Sequence, residues 1–105
     1  MDEDMQLLVG RRFQLWDYSP SFSRLLIRSP QTEQNPLNID IIFWGVKQLN
    51  LIPHLGEISI QIEEIDTQYK KFLIYSQDQI YTIKAVNYKI MTSDMEIFDS
   101  PLNKI

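Results

Sequence analysis

Residues 38–46 read Asn38-Ile39-Asp40-Ile41-Ile42-Phe43-Trp44-Gly45-Val46, and the pattern of this stretch decides the fold class. In an extended chain successive side chains alternate between faces. Ile39, Ile41 and Phe43 therefore share one side, and Asp40, Ile42 and Trp44 the other. Both sides are largely apolar and rich in β-branched and aromatic residues, as expected of a central strand covered on both faces for much of its length. Gly45 marks a bulge or a close approach of another backbone.

The neighbouring segments read the same way. Upstream, Arg24 to Ser29 (Arg-Leu-Leu-Ile-Arg-Ser) is a second strand ended by Pro30, and Gln31 to Asn38, with Pro36 inside it, is a polar loop. Arg11 to Tyr18 is a further strand in which Phe13 and Leu15 alternate with Arg12, Gln14 and Trp16. Ser19-Pro20-Ser21 ends it, because proline fixes φ and has no N–H to give to a ladder. Downstream, the 38–46 strand continues as far as Leu51, and Pro53-His54-Leu55-Gly56 turns the chain. Glu57 to Ile65 alternates most cleanly, with Ile58, Ile60 and Ile62 on one side and Glu57, Ser59, Gln61 and Glu63 on the other, so one face is wet.

Asp66 to Lys71 is a polar connection. Phe72 to Ser76 and Ile80 to Tyr88 are strands joined by the tight Gln77-Asp78-Gln79 hairpin. Lys89 to Thr92 extends the second of them, and Met95 to Phe98 is a last edge strand. Helix finds little room: Asp4 to Val9 suffices for one turn, and Ser21 to Ile27 is confined between Pro20 and Pro30. The expectation is a single, mainly β domain over residues 1–105, with 1–9 a flexible or short helical lead. Its architecture is an antiparallel β-sandwich or partly closed β-barrel of about six or seven strands, with little helix.

Composition narrows the function classes. At 105 residues and 44% apolar, the chain has the size and hydrophobicity of one packed domain rather than of a disordered one. It contains no cysteine, so neither disulfides nor thiolate metal sites support it, which fits a reducing compartment. A net charge of −4 speaks against general nucleic-acid binding, which needs a surplus of Lys and Arg. The same acidity suits a basic protein partner. The start, Met-Asp-Glu-Asp-Met, is the reverse of a basic leader, and no segment has the apolar length of a membrane span. The expected location is the cytoplasm.

Motifs of catalysis are missing. His54 is the sole histidine, set in a turn with no carboxylate identifiable beside it. One histidine and no cysteine make a poor zinc site, and Glu63, Glu64 and Asp66 lack the glycine-bearing loop of a calcium site. Gly10, Gly45 and Gly56 are too dispersed for a phosphate-binding loop, and no serine sits in a nucleophile elbow. No metal, cofactor or catalytic residue is therefore assigned, and the chain is read as a non-enzyme.

The candidate binding residues are charges and aromatics in apolar strands: Trp16, Asp17, Tyr18, Arg24, Arg28, Asp40 and Trp44. Charges in such strands pair across the sheet or line a face that recognises a partner, and Arg28 with Asp40 is the pair to test first. Trp and Tyr on an open sheet face suit a protein-binding hot spot. The stretches Phe13 to Tyr18, Leu25-Leu26-Ile27-Arg28-Ser29-Pro30 and Asn38 to Val46, followed by Leu49 to Ile60, resemble a small bacterial family sharing an LLxRSP…NIDxxFxGV pattern. That resemblance implies no established activity.

In type, though not in any site residue, short acidic cysteine-free β proteins also resemble the immunity proteins of bacterial toxin systems. Two functional expectations follow. One is a protein-binding β domain, in its sharper form an immunity-type inhibitor of a basic toxin domain. The other is a carrier holding a small anionic or apolar ligand near Arg24, Arg28 and Asp40. Homodimerisation through an edge strand is expected in either case.

Overall fold

The computed structural model describes residues 3–94, with side chains from residue 5 onward. It has two antiparallel sheets. One is five-stranded, in the order β5-β1-β2-β3-β9, and the other four-stranded, in the order β4-β8-β7-β6. The strands are β1 (Phe13–Ser19), β2 (Arg24–Ser29), β3 (Asn38–Trp44), β4 (Gln48–Asn50), β5 (His54–Gly56), β6 (Ser59–Glu64), β7 (Lys70–Ser76), β8 (Gln79–Ala85) and β9 (Asn87–Ser93). A 3-10 turn, η1 (Glu3–Leu8), precedes them, and η2 (Pro20–Phe22) links β1 to β2. The sheets stack as a sandwich and do not close into a barrel. The segment Met95–Phe98, expected as a last strand, lies outside the described residues.

The sandwich interior follows from the alternation in each strand. Leu25, Ile27, Ile39, Ile41 and Phe43 of the first sheet meet Phe72, Ile74, Ile83 and Ala85 of the second, all buried. Phe43 and Phe72 pack edge to face with centroids 5.0 Å apart, and Tyr88 adds a second edge contact to Phe72 at 5.1 Å. Leu8 and Met5 of η1 join this core, and η1 touches both β6 and β9. Complete burial of a Leu, Ile or Phe side chain stabilises by roughly 1.5–3 kcal/mol, so the central strands carry most of the driving force.

Nine described strands exceed the expected six or seven, because two long apolar runs are each broken at a corner and the expected turn at His54–Gly56 forms the short strand β5. The run from Asn38 toward Leu51 leaves the first sheet at Gly45-Val46-Lys47 and enters the second as β4. The run from Ile80 to Thr92 leaves the second sheet at Val86 and enters the first as β9. The two corners are laced together by Val86 N–H donating to Trp44 O at 2.9 Å and Lys47 N–H donating to Lys84 O at 2.8 Å.

Gly45 sits in this corner with φ of +62°, and a Cβ there would lie 2.6 Å from Val86 Cγ2. A close approach of another backbone is the expectation at Gly45; what crowds it is the side chain of Val86. His54 also differs from expectation: it lies in the short strand β5, opposite Gln14, rather than in a turn. The expected hairpin forms with a loop one residue shorter than Gln77-Asp78-Gln79, since Gln79 already pairs with Ser76.

Candidate functional site

The face of the five-stranded sheet turned away from the sandwich interior carries six of the seven residues singled out in the sequence. Register sets them there. Arg28 lies opposite both Gln14 and Asp40, Leu26 opposite both Asp17 and Ile42, and Asp40 opposite Met91. A bulge between Leu15 and Asp17 adds Trp16 as an extra residue in β1. This local kink turns Trp16 toward the same face as Asp17. There Trp16, Trp44 and Met91, all partly buried, pack against the buried pair Leu26 and Ile42 in a cluster separate from the interior core.

Within this face lies a fully buried ion pair. Arg28 Nε donates to Asp40 Oδ1 at 2.7 Å and Arg28 Nη2 to Asp40 Oδ2 at 3.2 Å, with both side chains at 0% exposure. This two-pronged geometry matches the guanidinium fork to the carboxylate and fixes both planes. The network continues outward: Ser93 Oγ donates to Asp40 Oδ2 at 3.1 Å, Asn38 Nδ2 to Ser93 Oγ at 3.2 Å, and Gln31 N–H to Asn38 Oδ1 at 2.8 Å. The Trp16 ring covers the guanidinium, whose carbon is 5.4 Å from the ring centroid. A buried guanidinium over an indole gains a cation–π attraction of about 1–2 kcal/mol. Burying two charges is tolerable only when each is met in this way.

The other candidates stand at the margins. Asp17 is half-buried beside the bulge, opposite Leu26. Arg24 places its guanidinium 5.9 Å from the ring of Phe22, which is 71% exposed. Tyr18, opposite Leu25 and thus of the interior parity, projects beyond the core at the sheet end and is 40% exposed. Sequence reasoning missed three contributors to the site: Met91, Ser93 and Asn38. Their signal is only positional, since Met91 and Ser93 reach the face by the departure of β9 from β8.

The remaining chemistry-bearing residues do not converge. His54 is exposed, with Arg12, Gln14 and Gly56 lining the shallow cavity beside it. Among the described residues no three His, Cys, Asp or Glu side chains come together as a metal would require. Asp66 is committed to its own loop: its Oδ1 accepts the N–H groups of Tyr69 at 2.7 Å and Gln68 at 2.8 Å. Those two bonds, helped by the nearby Lys84 and Lys47 charges, hold its carboxyl below the usual 3.8.

A groove of about 630 Å³ runs along Gly10 to Arg12, Ser29 and Thr32 to Asn35. Its Arg11 is already engaged by Ser29 Oγ and by the carbonyls of Ser29, Pro30 and Leu37. No described helix is long and apolar enough to cross a membrane.

The two outward faces of the sandwich differ in chemistry. On the four-stranded sheet the cross-strand rows are Gln48-Lys84-Lys71-Glu63, Asn50-Thr82-Leu73-Gln61 and Ile80-Tyr75-Ser59, a mixed surface in which Leu73, Tyr75 and the exposed Ile80 stand among polar and charged residues. On the five-stranded sheet the corresponding surface is Trp16, Leu26, Ile42, Trp44 and Met91 around a buried charge pair. Comparison of the chain with family models, with curated proteins and with solved structures finds no match.

Proposed function

We propose that this chain is a non-catalytic protein-binding domain that presents the outer face of its five-stranded sheet to a basic protein partner. One observation carries the reading: Trp16, Trp44 and Met91 remain partly exposed on the sheet face away from the core, around buried Leu26 and Ile42. Tryptophans in a rigid apolar surround are the usual anchors of protein interfaces, because they bury a large area with little loss of side-chain freedom. The Arg28–Asp40 pair supports the reading by tying β2 to β3 beneath the Trp16 ring. The net charge of −4 supports a basic partner through steering of the encounter.

An immunity-type inhibitor that masks a basic toxin domain is the sharper form of this proposal. It draws on size, acidity and the absence of catalytic motifs. The carrier reading draws less support, since Arg28 and Asp40 are turned on each other and the interior between the sheets is filled with Phe, Leu and Ile side chains.

Affinity capture with the full chain tests the proposal when run beside Trp16→Ala, Trp44→Ala and, as a control on the opposite face, Leu73→Ala. A basic protein retained by wild type and by Leu73→Ala but lost from both tryptophan variants is the expected result, with folding of each variant checked by near-UV circular dichroism. A partner retained equally by all four proteins, or an acidic one, overturns the proposal.

A further inference from the structure

We infer that the groove beside Arg11 and Arg12 binds a small zwitterion, whose carboxylate is held by the two arginines and whose ammonium faces Glu33. None of the residues lining this groove belongs to the tryptophan cluster, so the inference does not rest on the proposed function.

Arg11 is the fixed part of the site. Its Nε donates to Ser29 Oγ at 3.1 Å, and its Nη2 donates to Leu37 O at 3.0 Å and to Ser29 O and Pro30 O at 3.3 Å each. These bonds tie the guanidinium to both ends of the loop 30–37 between β2 and β3. All four acceptors are neutral, and among the described residues Arg11 forms no ion pair. Arg28 shows the contrast, since its charge is met by Asp40. The Arg11 charge is held half-buried without a counter-ion, where an arriving carboxylate is attracted more strongly than in open water. Both N–H groups of Nη1 are unspent. Arg12 is exposed and has no hydrogen bond or ion pair among the described residues, so its whole fork of donors is free to take a carboxylate bidentately.

The loop forms the other wall. Thr32 N–H donates to Asn35 O at 2.7 Å and Asn35 N–H to Thr32 Oγ1 at 3.1 Å, closing a turn with Glu33 and Gln34 at its tip. Glu33 lines the groove yet pairs with neither arginine. Two cations set apart from one carboxylate complement a ligand that carries both signs. A phosphate would gain at the arginines but lose against Glu33, and a lone amine the reverse.

The groove's volume of about 630 Å³ lies within the range of small-molecule sites, roughly 300–1,000 Å³. Pro30 is the one apolar side chain among its lining residues, so the ligand is polar throughout. A free α-amino acid and a short peptide with both termini charged share this chemistry and differ in how far apart the charges stand.

A titration of the ¹⁵N-labelled full chain, followed by NMR, tests the inference with L-alanine, trialanine, propionate and inorganic phosphate at one ionic strength. The expected result is a saturable shift of the amides at 10–12 and 32–35 with L-alanine or trialanine, at lower concentration than with propionate or phosphate. Whichever of the two binds tighter identifies the source. Arg12→Gln alters an exposed side chain, so the rest of the spectrum should stay unchanged while the zwitterion binds about tenfold more weakly. Glu33→Gln should bring the zwitterion down to the affinity of propionate. No saturable shift with either zwitterion, propionate or phosphate bound as tightly as the better zwitterion, or binding indifferent to both substitutions overturns the inference.

Discussion

Arg28 and Asp40 face each other in register, and each compensates the other's charge where no water reaches. Their contribution is conditional. Breaking the pair leaves one buried charge without its counterpart, while replacing both with apolar side chains of similar volume avoids that penalty. Asp40→Ala should therefore lower stability by about 3–5 kcal/mol. The double variant Arg28→Met, Asp40→Leu should lie closer to wild type than either single replacement. Urea unfolding of the four proteins, read as a double-mutant cycle, measures the coupling. Equal, additive losses would mean that the pair does not act as a unit.

Both residues of this pair stand out in the sequence, because a charge between Ile39 and Ile41 or after Leu26-Ile27 has few ways to be accommodated. The sequence marks them as the pair to test first, but the register that sets them opposite each other depends on the intervening loop and is not legible there. Trp16 shows the same limit more sharply. Its alternation with Phe13 and Leu15 places its neighbours only as far as the bulge, and a bulge leaves no mark in a single sequence.

At the scale of elements, the molecule depends on two strand runs that change sheets at one corner. Periodicity finds every apolar run within the described residues, including β2 with its bounds and the wet face of β6. It misses the breaks because Val86 and Val46 are as strand-compatible as their neighbours. Only Gly45 signals the corner. Its positive φ, and the 2.6 Å that would separate a Cβ from Val86 Cγ2, leave no space for a side chain. Gly45→Ala should cost about 2 kcal/mol or more, from backbone strain and from displacement of Val86 together. A lower urea midpoint at unchanged m-value checks this, and relief in Gly45→Ala, Val86→Ala would separate the steric share from the backbone share. An Ala variant as stable as wild type would show that the corner relaxes freely.

For the molecule as a whole, the two outward surfaces of the sandwich differ in chemistry. The face of the four-stranded sheet is mixed, with Lys84, Lys71 and Glu63 in one cross-strand row and Leu73, Tyr75 and Ile80 scattered singly among polar residues in the others. The face of the five-stranded sheet gathers tryptophan, methionine and isoleucine above a rigid ion pair. The sequence yields it only as scattered residues, because assembly of the face requires β9 beside β3. On the function proposed above, the acidic chain would steer toward a basic protein and hold it by apolar contact, and the encounter should slow as salt rises.

The central claim is that this face, and not the opposite one, touches the partner. Photo-crosslinking in the native lysate tests it most directly, with a benzophenone side chain placed at Trp44 in one protein and at Leu73 in another. The account predicts one adduct of defined mass, containing a basic protein, from position 44 and none of that mass from position 73. The same adduct from position 73 alone, or from both positions equally, would contradict it.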